Sequence, residues 1–210
     1  MQITHYGHSC LLVQTGSARL LIDPGAFSSG FESVRELTAV LITHQHVDHL
    51  DVERLPALLA ANPGAELITD VASAEQLAER GVTARAVAAG ERLDLGGSVV
   101  QTVGGQHAVI HPDLPVIPNV GYLVDGLLLH PGDSFHVPDR PVDVLGVPTG
   151  APWLKAAEAV DYVRAVSPRV AVPIHEAVLS RPQMVYGLLE LLKPEATTVR
   201  VLTPGEPTEV

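Results

Sequence analysis

Residues 43–49 of this chain read Thr43-His44-Gln45-His46-Val47-Asp48-His49. They begin where the apolar run Ala39–Thr43 (AVLIT) ends, and such a run is typical of a strand covered on both faces. The residues that follow, Leu50–Ala61, predict a helix. Imidazole and carboxylate side chains are good ligands for zinc and its neighbours in the transition series. Four of them within six positions, directly after a buried strand, predict a metal site and disfavour the alternative of a solvated histidine cluster.

The spacing of these four side chains is compatible with two ions. His44 and His46, two positions apart on an extended segment, can bind one ion together. Asp48 and His49 lie one step further along the chain and can reach a second ion. The pattern therefore favours a dinuclear centre at the end of the strand.

Strands and helices are predicted in both halves of the chain. Strands are expected at Ser9–Gln14, Ala18–Ile22, Glu66–Thr69, Val99–Val103, Val120–Val124, Leu127–His130, Val142–Gly146, Arg169–Pro173 and Thr198–Leu202. Further helices are expected at about Val71–Arg80, capped by Asp70 or Ser73, from Pro152 through Val163, and at Pro182–Leu192. These elements predict one α/β domain spanning residues 1–210. Its architecture would be a four-layer αβ/βα sandwich of two mixed β-sheets, packed face to face, with helices on the outer faces.

Composition narrows the classes of partner. The 210 residues carry 13 Lys and Arg against 24 Asp and Glu, a formal net charge of −11, so nucleic acid is not expected as a partner. No apolar stretch approaches the ~20 residues that membrane insertion requires. The chain start does not resemble a signal peptide, and the single cysteine, Cys10, favours a cytoplasmic location. A small-molecule substrate is expected, and a homo-oligomer is left open.

The pattern H-x-H-x-D-H after an apolar strand resembles the signature of the metallo-β-lactamase fold superfamily. Later landmarks of that family follow in order along most of the chain. They are His107, Asp133 in His130-Pro131-Gly132-Asp133-Ser134, and His175 in Val172-Pro173-Ile174-His175-Glu176. The resemblance implies that the first metal is held by His44, His46 and His107. It implies that the second is held by Asp48, His49 and His175, with Asp133 bridging both.

Three further residues are candidates for supporting the site. Asp23, in Leu21-Ile22-Asp23-Pro24-Gly25, matches a family aspartate that holds other ligands in place. Tyr6-Gly7-His8-Ser9-Cys10-Leu11 is similar to a Gly-His-Ser segment in the branch with ascorbate-6-phosphate lactonases and N-acyl-phosphatidylethanolamine phospholipase D, whose compact uncharacterised members this chain resembles. His8 would either contact substrate or pack as a strand residue. His111, in the proline-rich loop Gln106–Pro118, is a second candidate for substrate contact, whereas Trp153 is interpreted as a core or interface residue.

The resemblance implies a metal-dependent hydrolase. Hydroxide held between two divalent ions would attack a small ester, lactone or phosphodiester, with Asp48 orienting it or accepting its proton. Zinc is favoured, because His46 stands where iron-using relatives often carry Glu; nickel, manganese and iron are the alternatives. An iron-loaded oxygenase or thiol dioxygenase on the same scaffold is the alternative function. A metal-binding protein without turnover is a third reading.

Overall fold

The computed structural model describes all 210 residues and contains two sheets of seven strands each. In spatial order, the first sheet consists of β14 (Thr208–Glu209), β1 (Gln2–His5), β2 (Leu11–Thr15), β3 (Ala18–Ile22), β4 (Ala39–Ile42), β5 (Glu66–Thr69) and β6 (Arg85–Ala86). The second consists of β13 (Thr198–Val199), β12 (Val170–Ile174), β11 (Val144–Pro148), β10 (Leu128–His130), β9 (Pro118–Val124), β8 (Ser98–Gln106) and β7 (Arg92–Leu95). Each sheet is half antiparallel and half parallel, so both are mixed as predicted.

Four α-helices follow parallel strands. They are α1 (Leu55–Ala60), α2 (Val71–Ala78), α3 (Ala156–Val166) and α4 (Gln183–Leu192); a short 3₁₀ helix spans Phe31–Ser33. Asp70 caps α2 as predicted, because its side chain accepts from the backbone N–H groups of Ala72 and Ser73. None of the helices combines the length and apolar character that crossing a membrane requires.

Successive side chains of a strand point to opposite faces of its sheet, and the buried apolar side chains form three layers. In β3, Leu20 and Ile22 point into a cluster between the two sheets, while Leu21 points into a cluster beneath α1 and α2. In β12, Val172 points into the cluster between the sheets, while Ala171 points into a third cluster beneath α3 and α4. Helices, sheet, sheet and helices therefore stack as four layers, which confirms the αβ/βα sandwich.

One edge of this sandwich collects the strand ends that bear ligand-type residues. Strands β4, β8, β10 and β12 end just before Thr43, His107, Pro131 and His175, respectively. The Tyr122 hydroxyl, fully buried between the sheets, donates to the carbonyl oxygen of Ile42 at 2.8 Å. This bond ties the second sheet to the end of β4, so the two sheets hold their loops in fixed relation.

Two predicted helices begin later than expected. Helix α1 starts at Leu55, because the Asp51 carboxylate accepts from the N–H groups of Glu53 and Arg54 at 3.0 Å and forms a local turn instead of the first helical turns. Helix α3 starts at Ala156, where the Glu158 side chain accepts from the N–H of Lys155, so Pro152 lies before the helix and not in its first turn.

Candidate metal centre

Two clusters of ligand-type side chains lie side by side at this edge. The first contains His44, His46, His107 and Asp133, and the second contains His8, Asp48, His49 and His175. Within each cluster, one potential ligand atom from every residue lies within 4.8 Å of all the others. The structure thus brings together all seven residues for which the resemblance implied metal binding, and it adds His8.

Asp133 lies between the two clusters and faces both. Its Oδ1 atom is 3.1 Å from Nε2 of His49 and 3.1 Å from Nε2 of His175. Its Oδ2 atom is 3.3 Å from Nε2 of His107. One carboxylate oxygen is therefore directed to each cluster, which is the arrangement that a bridging ligand requires.

Hydrogen bonds on the outer side of the rings fix which histidine nitrogens face inward. Nδ1 of His49 lies 2.7 Å from Asp23 Oδ2, and Nδ1 of His107 lies 2.6 Å from the carbonyl oxygen of Ala108. Nδ1 of His175 likewise faces the carbonyl oxygen of Gly150. Since these oxygens can only accept, each Nδ1 carries a proton, which leaves Nε2 as the ring nitrogen directed at the clusters. Such outer partners are typical of histidines that bind metal.

Asp23 and Thr43 extend this outer support to His44. Asp23 is fully buried and accepts from the backbone N–H and the hydroxyl of Thr43, both at 2.8 Å. Because the hydroxyl proton is directed to Asp23, Thr43 Oγ1 accepts from Nδ1 of His44 at 3.0 Å. Asp23 therefore orients residues of both clusters, in agreement with the supporting position expected for it.

The charges of these groups at neutral pH suit metal binding. Burial lowers the pKa of His44 well below its usual value and also lowers the pKa of His46, so both rings are neutral. Burial alone would raise the pKa of Asp48, but the hydrogen bond from His8 and the nearby His49 and His175 rings bring it down to about 2. Burial alone would lower the pKa of His49, but the carboxylates of Asp133 and Asp23 raise it well above its usual value, so a bound cation would displace the Nε2 proton of this ring. The site therefore offers neutral imidazoles at His44 and His46 together with an ionised carboxylate at Asp48.

Several buried polar atoms of the site have no hydrogen-bond partner, and they show whether the residues fit metal ions. Nε2 of His49, His107 and His175 and Oδ1 of Asp133 are buried and have no hydrogen-bond partner. The Nε2 atoms of His49 and His175 each lie 3.1 Å from Asp133 Oδ1, yet none of these atoms has a hydrogen-bond partner. Buried polar atoms without partners are costly, and bound cations at the points on which they converge would satisfy them. The donor set of five nitrogens and two carboxylates fits divalent transition metals.

His8, the additional member of the second cluster, is fully buried. Its Nδ1 accepts from the backbone N–H of Ala177 at 3.3 Å, so Nε2 carries the proton and donates to Asp48 Oδ2 at 3.0 Å. Its backbone N–H donates to Glu176 at 2.9 Å, and its φ of 53° is uncommon for a residue other than glycine. These contacts hold the ring against Asp48 and leave Nε2 no free lone pair for a metal.

Two other residues are placed differently from expectation. Trp153 is not simply a core residue, because its indole Nε1–H donates to Asp133 Oδ2 at 2.8 Å and its ring lines the cavity over the clusters. No sequence pattern indicated this contact. His111 has a side chain 61% exposed, accepts from the N–H of Asp113 and lines no cavity over the clusters. The structure therefore does not bring His111 to the site.

Gly25 permits the closest backbone approach in the site. A Cβ atom at this position would overlap the carbonyl group of Asp48 and lie 2.5 Å from the backbone nitrogen of His49. We expect Gly25→Ala to displace the loop that carries both residues. A shift of ~1 Å in a catalytic loop can lower activity by ~10²-fold, and metal content should fall toward one ion per chain. Gly64→Ala is the matched control, because nothing lies within 4 Å of its Cβ position; equal activity and metal content in the two variants would contradict this account.

Comparison with known proteins gives a consistent picture. Residues 2–175 match the family described as the beta-lactamase superfamily domain. Protein Rv0786c of Mycobacterium tuberculosis is 56% identical over 185 residues, which cover 86% of each chain. A UPF0173 metal-dependent hydrolase of Aeropyrum pernix is 28% identical and aligns over 98% of this chain and 96% of its own. A crystal structure described as a putative metal-dependent hydrolase, from Parabacteroides distasonis, superimposes with a TM-score of 0.78 at 22% identity, covering 96% of this chain and 92% of the other. The chain therefore belongs to the beta-lactamase superfamily and is a metal-dependent hydrolase with the metallo-β-lactamase fold.

Proposed function

We propose that the protein hydrolyses a small ester, lactone or phosphodiester with two divalent transition-metal ions, zinc being the favoured metal. The single observation that carries this proposal is the pair of ligand clusters joined by Asp133. In the proposed assignment His44, His46 and His107 hold the first ion, and Asp48, His49 and His175 hold the second. Asp133 contributes one oxygen to each.

Two divalent ions at these positions would supply Lewis acidity, polarising the oxygen of the scissile bond and lowering the pKa of a water molecule to roughly 7. The protein's own groups then position the reactants. Asp48, ionised at neutral pH, lines the cavity and its side chain is 17% exposed, so it can orient the attacking water and accept its proton. Trp153 holds Asp133 by its indole N–H and covers the clusters with its ring, which limits the access of bulk water.

Histidine at position 46 supports hydrolysis over the alternative of iron-dependent oxidation. The first cluster then contains three imidazoles and one shared carboxylate, a set of ligands suited to zinc. An oxygenase on this scaffold would instead consume dioxygen during turnover. The two functions therefore differ in a quantity that can be measured directly.

The proposed function is tested with a substrate panel on protein of known metal content. Esters, lactones and phosphodiesters would be assayed with dioxygen uptake recorded at the same time. We expect at least one class to be hydrolysed, the activity to disappear on chelation and return with zinc, and no dioxygen to be consumed. Protein with both sites filled that hydrolyses none of the three classes would contradict the proposal.

The His8→Phe variant tests whether the hydrogen bond from His8 positions Asp48. Phenylalanine keeps a ring in the buried position but removes the Nε2–H that donates to Asp48 Oδ2. Loss of such an outer hydrogen bond costs ~10–100-fold in metal affinity or activity, so we expect weaker binding of the second ion and a lower kcat. Equilibrium dialysis and steady-state kinetics measure the two effects. His111→Phe is the matched control, since His111 is exposed and away from the clusters; a similar loss in that variant would show that the effect is not specific to His8.

A further inference from the structure

We infer that the site takes an electrically neutral carboxylic ester or lactone with a short apolar chain, and that this chain lies along the loop formed by residues 107–117. This inference rests on the proposed hydrolytic function and narrows its substrate class. Two adjoining cavities, the apolar side chains that line them and the distribution of charge carry the argument.

The first cavity lies directly over the two clusters and has a volume of about 300 Å³. His46, Asp48, His107, Asp133 and His175 form its base. Its remaining walls consist only of apolar or aromatic side chains, namely Phe27, Ile110, Pro152, Trp153 and Val178. A reacting group placed on the clusters would therefore have carbon surfaces on its other sides.

The second cavity adjoins the first and has a volume of about 170 Å³. It shares His46, His107 and Ile110 with the first cavity, so the two lie next to each other beside the first cluster. The rest of its lining belongs to the loop, and consists of Ala108, Leu114, Pro115, Val116 and Ile117. A substrate that is bound at the clusters can therefore place an apolar substituent in this side cavity.

The loop exposes apolar side chains that a solvated loop would not ordinarily carry. Ile110, Leu114 and Val116 are 39%, 52% and 44% exposed, and across the first cavity Phe27 and Val178 are 48% and 46% exposed. Scattered exposed apolar residues need no explanation, but a group gathered around one opening indicates a binding surface. Burying this surface against an apolar chain would stabilise the complex.

Charge argues against an anionic substrate. Neither cavity has Lys or Arg in its lining, whereas sites that bind phosphate typically use such side chains as clamps. Arg54 donates to the carbonyl oxygens of Gly25 and Ser28, on the loop that carries Phe27, and is already engaged with Asp51 and Glu32. Two divalent ions at the clusters would outweigh the carboxylates of Asp48 and Asp133, so the charge argument concerns the other walls of the cavity. A phosphodiester has a second non-bridging oxygen, which would face apolar side chains without a cation, whereas a neutral ester or lactone has no such oxygen.

The test uses metal-loaded protein and p-nitrophenyl esters that differ only in the acyl chain. Each methylene that enters an apolar cavity is worth ~4-fold in affinity, so two buried methylenes should raise kcat/KM for the hexanoate at least ~10-fold above the acetate. The mono-p-nitrophenyl ester of adipic acid has the same chain length with a terminal carboxylate. It should react at least ~10-fold more slowly than the hexanoate, because the carboxylate loses its hydration in the side cavity.

Leu114→Arg places a cation at the side cavity. We expect it to reduce the ratio of hexanoate to acetate and to raise the ratio of adipate monoester to hexanoate. Leu191→Arg is the matched control, because Leu191 is 76% exposed on α4, lines neither cavity and gains the same charge. Both ratios should stay at the parental values in that variant.

Binding can be followed without turnover, because Trp153 is the chain's single tryptophan and lines the first cavity. Hexanamide should change its fluorescence at a concentration at least ~10-fold lower than acetamide does, and Leu114→Arg should abolish that difference.

The results of these experiments distinguish a failure of the inference from a failure of the proposed hydrolytic function. A larger rate acceleration for bis(p-nitrophenyl) phosphate than for the hexanoate, or a flat response to chain length, would overturn the inference and leave hydrolysis standing. If fully metallated protein cleaved none of these compounds, the proposed function would fail. Tryptophan fluorescence would then decide the inference alone, and equal binding of hexanamide and acetamide would overturn it.

Discussion

Asp133→Ala should lose both metal ions, or keep the first at best, and its hydrolytic activity should fall by ~10³-fold or more toward the uncatalysed rate. The reason is geometric, because Oδ1 faces His49 and His175 while Oδ2 faces His107. No other carboxylate of the chain belongs to the first cluster. Removing Asp133 therefore takes a ligand from both proposed ions and leaves two positive charges close together without the anion between them.

Metal content and hydrolysis would be measured on the same sample of Asp133→Ala. The variant should remain folded by circular dichroism, because Asp133 lies in a loop after β10 and outside the three apolar clusters. Asp139→Ala is the matched control, since its carboxylate is 91% exposed and contacts only the adjacent Arg140. If Asp133→Ala retained two ions, Asp133 would not be the bridging ligand.

Asp48→Asn should keep the first ion, bind the second more weakly and lower kcat by ~10²-fold or more. Asparagine is nearly the same size, so packing is preserved while the negative charge is removed. The His8 ring, which donates to Asp48 Oδ2 in the parent, can still donate to the amide oxygen. The loss of activity should exceed the loss of second-site occupancy, because the group that accepts the proton is also removed.

Saturating zinc distinguishes these two contributions in Asp48→Asn. Restored occupancy with a persistently low kcat would agree with a catalytic carboxylate, and Asp139→Asn should behave as the parent does under the same conditions. Full recovery of kcat with occupancy would limit Asp48 to metal binding. A variant as fast as the parent without added zinc would remove Asp48 from the mechanism.

The sequence allowed much of the fold to be predicted, because its signals are local. The AVLIT run before His44 and the short apolar runs of β2, β3 and β12 depend only on neighbouring residues, and these strands occur within two residues of the predicted bounds. The short strands β14, at the edge of the first sheet, and β1, next to it, were not predicted. They pair Gln2 with Glu209, at opposite ends of the chain, and local patterns carry no signal for such a contact.

The proposed metal ligands were easier to predict from the sequence than the residues that contact them, because only the ligands lie in local motifs. The residues for which the resemblance implied metal binding carry recognisable motifs, and the structure brings all of them together. Trp153 was missed because its bond to Asp133 joins the loops that follow β10 and β11, 20 positions apart, and local patterns carry no signal for such a contact. His8 was left between two readings, since the tautomer that directs Nε2–H to Asp48 depends on Ala177, 169 positions away. Such contacts follow from the way the two sheets pack.

The central claim is that two ions held by the joined clusters perform the hydrolysis. The most direct test is a titration of metal-free protein with zinc, in which the number of bound ions and the hydrolysis of a confirmed substrate are measured together. The account predicts that activity reaches its maximum when two ions are bound per chain, with the first ion alone giving little turnover. Maximal activity with one bound ion, or with none, would contradict it.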